Sequence, residues 1–145
     1  MQTFRFRLAK VLEWYIHEFE EEERRFGACI AALAESQKAI TALHDEHLSI
    51  EREFVSHVSI PSREFVSLGL YRLAVKKREV ELNQLKLRCE TAVAEQRVRL
   101  QAAQRKVRLL EKLRERRVAE HVYAETRELE ELASDAFFSK WASQQ

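Results

Sequence analysis

The sequence predicts an all-α fold: an antiparallel two-helix coiled-coil hairpin whose C-terminal helix is the longer. Three observations carry this expectation. Two glycines and one proline in 145 residues leave almost no loop chemistry. Ala, Glu, Lys, Leu and Arg dominate and 34% of residues are charged, which is the composition of long helices and not of a globular enzyme. The proline, Pro61, separates two runs of apolar residues that recur at alternating four- and three-residue steps. Proline removes a backbone donor and clashes inside a helix, so the break between two helices falls there.

The first run steps through Leu8, Leu12, Tyr15, Phe19, Glu22, Phe26, Cys29, Leu33, Ser36, Ile40, Leu43, His47, Ile50, Phe54 and His57. Eleven of these fifteen positions are apolar and the register never slips, which is the seam of a coiled coil. With Thr3 as N-cap, the first helix is expected over about 4–58, roughly 80 Å at ~1.5 Å per residue. The turn is expected at about 59–62. Ser59 and Ser62 both suit an N-cap there, and Glu64 suits the helix dipole.

The second helix is expected over about 63–141. Its seam reads Leu68, Tyr71, Val75, Leu82, Leu85 and Cys89. A one-residue shift at Leu85, Cys89, Val93 leads on to Gln96, Leu100, Ala103, Val107, Leu110 and Leu113. Val118, Val122, Leu129 and Leu132 follow.

Folding at Pro61 pairs residue i with about residue 122 minus i. Six carboxylates between Glu13 and Glu23 then lie beside nine Lys and Arg residues between Arg97 and Arg117. Opposite charge blocks favour the hairpin over a parallel self-dimer. Each exposed pair contributes only ~0.2–1 kcal/mol, so their expected role is register. Cys29 and Cys89 come within about a turn of one another, either as small buried residues or as a redox pair. Beyond about Ala119 nothing is left to pair with. This overhang still carries Val122, Tyr123, Leu129, Leu132, Phe137, Phe138 and Trp141, so it either frays or docks. Ten of the thirteen aromatic residues gather at this open end, and Val11, Trp14 and Ile16 fall off the narrow seam. The end is thus either a thickened core or a docking surface.

Little else points to chemistry. The net charge of +1 gives no global bias toward nucleic acid or anionic membrane. The basic run spreads around its helix and faces acid, so no nucleic-acid partner is expected. No apolar run approaches the ~18 residues of a membrane span. The opening residues lack the apolar core of a secretory signal, so a cytoplasmic location is expected. Two glycines cannot build a phosphate-cradling loop, and neither Gly-x-Ser-x-Gly nor Cys-x-x-Cys occurs. His44 and His47 share a helix face and could offer metal ligands, but the seam position of His47 favours polar places in an irregular core. No catalytic site, metal or cofactor is expected.

Four segments, taken together and in order, resemble the flagellar export protein FliJ family and its relatives in virulence-type secretion. They are Phe4-Arg5-Phe6-Arg7-Leu8-x-x-Val11-Leu12, Tyr71-Arg72-Leu73, Leu110-Glu111-Lys112-Leu113-Arg114-Glu115-Arg116-Arg117, and Glu128-x-Glu130-Glu131-Leu132-Ala133. The chain departs from the family pattern at Glu130, more often Asp, and at Trp14-Tyr15, where a basic residue is usual. The resemblance implies a non-catalytic hairpin similar to the central stalk of rotary ATPases. It would be a monomer when free, at the cytoplasmic face of the inner membrane below the flagellar basal body. Implied partners are the hexameric export ATPase, whose assembly and activity it promotes, the cytoplasmic domain of the export gate protein, and export chaperones. By the same analogy Val11, Trp14, Leu110, Leu113, Arg116, Val122, Leu129, Leu132, Phe137, Phe138 and Trp141 meet the ATPase. His47, Ile50, Phe54, Leu68 and Tyr71 are left to meet the gate. The alternative is a structural coiled coil or chaperone-like adaptor that self-associates.

Overall fold

A computed structural model describes residues 3–57 and 59–144. Two helices account for most of them: α1, Ala9–Val55, of 47 residues, and α2, Ser62–Ala142, of 81 residues. They pack against each other, and no strand occurs among the described residues. No helix among the described residues is long and apolar enough to cross a membrane.

The chain forms two compact units, and the same helices contribute to both. The unit Glu21–Gln101 contains the turn. Here Glu51 pairs with Arg72, His44 with Glu79 and Glu22 with Gln96. Partner numbers fall on one helix as they rise on the other, so the helices are antiparallel. Leu68, Val75, Leu82 and Val93 are buried against a stripe of half-buried α1 residues that includes Phe26, Leu33, Ile40 and Leu43. The second unit is Met1–Glu20 with Ala102–Gln145. Its pairing is also antiparallel, with Glu18 beside Lys106 at 3.6 Å and Phe4 beside His121 at 5.6 Å between ring centres. Leu12, Ala103 and Val107 are its buried residues.

The predicted α1 seam holds from Leu12 to Phe54, where every position is buried or half-buried. Its ends are shorter than expected. The first helix begins at Ala9, not near Phe4, and Thr3 does not cap it. Residues 3–8 are non-helical, with Phe4 and Phe6 half-buried and Arg5 and Arg7 exposed. The Phe-Arg-Phe-Arg run alternates with period two, which suits a non-helical segment. A helical continuation would step back three residues from Leu8 and set Arg5 on the seam. The Ala9 N–H instead donates to the Phe6 carbonyl at 3.2 Å.

At the other end α1 stops at Val55, and the expected last residue, Val58, lies outside the described residues. His57 is exposed beyond the helix and is not a seam residue. The Ser56 hydroxyl donates to the Glu53 carbonyl at 2.7 Å and closes the last turn. Neither expected serine cap forms: among the described residues no backbone N–H of the first turn of α2 donates to the Ser59 or Ser62 hydroxyl. The Glu64 N–H donates to the Pro61 carbonyl at 2.9 Å, so Pro61 itself sits at the cap position of α2. A residue there needs no N–H of its own.

The seam of α2 corrects one position. Leu85 is 42% exposed, and Lys86 is half-buried in its place. The less exposed positions run Leu68, Tyr71, Val75, Glu79, Leu82, Lys86, Cys89, Val93. The double four-residue step thus falls at Tyr71, Val75, Glu79, earlier than Leu85, Cys89, Val93. A reading restricted to apolar residues chose Leu85. The aliphatic stem of Lys86 fills the seam while its ammonium reaches outward, 3.9 Å from Glu90.

Candidate docking surfaces

Side-chain chemistry is spread along the helices and is not gathered in one cleft. Among the described residues no group of three or more His, Cys, Asp and Glu side chains could hold a metal ion. The two histidines considered as metal ligands face carboxylates instead. His44 lies 3.3 Å from Glu79, and His47 lies 3.8 Å from Glu51. Cys29 and Cys89 are free thiols, half-buried and not fully enclosed.

The charge blocks do not interlock as a ladder. Lys106 reaches Glu18 and also stands 5.5 Å from the Tyr15 ring centre. Arg25 turns to Glu21 and Glu22 on its own helix, and Arg97 lies over the Phe26 ring at 5.9 Å. Aromatic faces and same-helix carboxylates compete with the partner helix for these cations. Register has a more specific marker in Gln96, buried on the seam, whose amide donates to the Glu22 side chain and to the Glu22 carbonyl. Ser36, also buried, satisfies its hydroxyl on the Leu33 carbonyl at 2.7 Å.

In the unit Met1–Glu20 with Ala102–Gln145, the residues expected at the ATPase end divide into two groups. Leu110 and Leu113 are half-buried in the helix pairing. Val11, Trp14 and Arg116 are exposed, and the Trp14 ring stands 5.4 Å from that of Tyr15 on its own helix. Val122, Leu129, Leu132, Phe137, Phe138 and Trp141 are all at least half exposed. The pairing reaches slightly past Ala119, since His121 meets Phe4 and Glu125 is still half-buried. From Thr126 onward every described residue is exposed.

In the unit Glu21–Gln101, the residues expected to meet an export gate are neighbours, but they face inward. Leu68 is buried, and His47, Ile50, Phe54 and Tyr71 are half-buried on the seam. His47 and Tyr71 stack with ring centres 5.9 Å apart, and Phe54 takes the edge of Phe65 at 5.4 Å. Among the described residues the Tyr71 hydroxyl and His47 Nδ1 have no hydrogen-bond partner. Burial first, and then the Glu46 and Glu51 carboxylates, push the Tyr71 phenol above its ordinary range. Beside them Arg72 grips Glu51 with two bonds of 2.6 and 2.7 Å. That hydrogen bonding, with the guanidinium charge, holds the Glu51 carboxyl below its usual range.

What sequence reading missed is the outer face of this unit. Val66, Leu70, Leu73, Val80 and Leu87 are each more than half exposed. They belong to a second heptad series on α2, nearly opposite the seam. Its four-, three- and seven-residue steps are legible in the sequence, and exposure is what tells it from the seam. A helix with one partner needs one apolar stripe, so a second, exposed stripe is a candidate docking surface.

No family model, curated protein or solved structure gives a match to this chain.

Proposed function

We propose that this chain is a non-catalytic stalk of a flagellar-type protein export apparatus, working in the cytoplasm at the inner face of the membrane. Its C-terminal overhang engages the ring of the export ATPase and promotes ring assembly and activity. The observation that carries this reading is the continuation of α2 past its partner, with Leu129, Leu132, Phe137, Phe138 and Trp141 open to solvent. An isolated helix with such a stripe is only marginally stable in water, so its apolar side chains are suited to a partner. The resemblance of four ordered segments to the FliJ family supplies the partner class and the likeness to rotary stalks.

The outer stripe of Val66, Leu70 and Leu73 is better suited to the export gate than the seam residues beside it. Leu68 and Tyr71 are occupied in holding the helices together, whereas the stripe is free. Export chaperones complete the proposed partners, and the free chain is proposed to be a monomer.

The test is the triple variant Phe137→Ala, Phe138→Ala, Trp141→Ala. These side chains are solvent-facing, so the unfolding free energy read from urea denaturation changes by no more than the ~0.5 kcal/mol usual for each surface change. Stimulation of the cognate export ATPase is lost. Full stimulation by this variant would remove the overhang from the mechanism. The second reading, a structural coiled coil or adaptor that self-associates, is favoured by the heptad spacing of Val122, Leu129 and Leu132. It predicts a concentration-dependent dimer in sedimentation and no response from the ATPase.

A further inference from the structure

The outer stripe of α2 has the spacing of a second coiled-coil seam. Val66, Leu73, Val80 and Leu87 recur every seven residues, Leu70 lies beside them, and all five are more than half exposed. A strict heptad stripe is one helix wide. In the column of Leu70 the next heptad positions are Lys77 and Gln84, both exposed. The stripe is therefore narrower than the apolar face that a helix lying on lipid buries.

The free charges beside the stripe are of one sign. Arg63 and Lys77 stand in the column of Leu70, Lys76 flanks that column, and Arg88 flanks the column of Leu87. Among the described residues no ion pair takes up any of these four. Glu81, the one carboxylate in or beside the two columns from Arg63 to Arg88, is held by Arg78 at 3.3 Å. Nearby cations off the stripe are committed, Arg72 to Glu51 and Lys86 to Glu90. Gly69 lies one heptad before Lys76 on the same flank. It is inside α2 without a positive φ, and a Cβ there would meet nothing within 4 Å. Glycine weakens a helix interior, and nothing within the chain calls for the missing side chain. A neighbour that comes close from outside the chain supplies the reason.

We propose that the stripe receives an amphipathic helix whose apolar seam is flanked by Asp and Glu and which passes closely over Gly69. This rests on the reading that the stripe meets the export gate, whose cytoplasmic domain would supply the helix. Uncommitted cations beside a seam select an acidic partner and reject a basic one.

The test titrates the full-length chain with the cytoplasmic domain of the export gate protein and with two labelled peptides of about three heptads. Both peptides carry Leu at the seam positions; one is flanked by Glu and the other by Lys. The domain and the Glu peptide are expected to bind, and the Lys peptide at least about tenfold more weakly. Lys76→Glu with Lys77→Glu weakens the domain and the Glu peptide about tenfold and inverts the preference between peptides. Gly69→Gln weakens both while the urea midpoint holds or rises, which a glycine needed by the fold would not allow. If the domain binds every variant alike while the peptides behave as expected, the gate reading of the stripe falls and the acidic helix stands. If no peptide binds, the domain decides: sensitivity to both variants upholds the acidic helix. Equal affinity for the two peptides, or no probe that responds to the variants, overturns it. Binding only to vesicles of phosphatidylcholine and phosphatidylserine also overturns it and gives the face to lipid. A dimer in sedimentation that the charge reversal dissolves overturns it in favour of the overhang of a second copy.

Discussion

At the scale of residues, the best-defined contact is Glu51 with Arg72, two parallel hydrogen bonds across the helix pair near the turn. Two aligned bonds fix direction as well as distance, which a single lysine contact would not. Hydrogen bonding from Arg72 is the main cause of the depressed Glu51 pKa, opposed by partial desolvation. A carboxyl with a lowered folded pKa contributes stability that is present above its unfolded pKa and lost as pH falls through its folded pKa. Glu51→Gln is therefore less stable than the parent at neutral pH. The gap closes through the acid range that starts at the ordinary glutamate value and extends below it. Urea midpoints collected as a function of pH check this, and parallel curves for the two proteins would mean that the pair adds nothing. Tyr71 works in the opposite sense. Burial first, and then the Glu46 and Glu51 carboxylates, raise its pKa, so the phenol keeps its proton above the ordinary tyrosine range.

At the scale of elements, α1 and α2 are held in register by a few particular layers more than by their charge blocks. The Glu22–Gln96 layer is polar on both sides of the seam. Such a layer weakens packing but penalises slippage, because a shifted register strands both groups. Gln96→Leu removes the cross-helix donor to half-buried Glu22, which keeps Arg25 of its own helix, and lowers stability. Glu22→Leu with Gln96→Leu recovers it. The double-mutant cycle is expected to give a coupling of about 0.5–3 kcal/mol, read from urea denaturation. Additive effects would show that each side chain acts alone. The seam of α1 was legible in the sequence because every position from Leu12 to Phe54 follows one heptad register. What escaped reading were places where a polar residue takes an apolar place, or the period changes. Lys86 replaces Leu85 on the seam because a lysine stem packs like a hydrocarbon. Residues 3–8 leave the helix because period two, not the helical period, puts Phe4 and Phe6 inward. Glu79 enters the seam by meeting His44 across it, a partner that lies 35 residues away in the chain. The outer apolar stripe of α2 was equally visible in spacing, yet only its exposure distinguishes it from a second core stripe.

At the scale of the whole molecule, stability is unevenly distributed along α2. From Leu68 to Val107 the helix carries a seam of buried residues, whereas from Thr126 to Gln144 every residue is exposed. Most helical stability in proteins comes from tertiary packing of an amphipathic face, so a run in which every residue is exposed draws little beyond its own propensity. Amide hydrogen exchange should report that gradient. Amides between Val75 and Val107 are expected to open only with global unfolding, and those beyond Thr126 at a free energy near zero. The same measurement separates the two functional readings. If the overhang engages an ATPase ring, protection beyond Thr126 rises when the ATPase is added and is indifferent to the concentration of the chain itself. If the overhang pairs with its own copy, protection rises with chain concentration and the ATPase changes nothing. Strong protection of the overhang in dilute free protein would defeat both, because it would require this segment to fold back on a surface that its present exposure leaves bare.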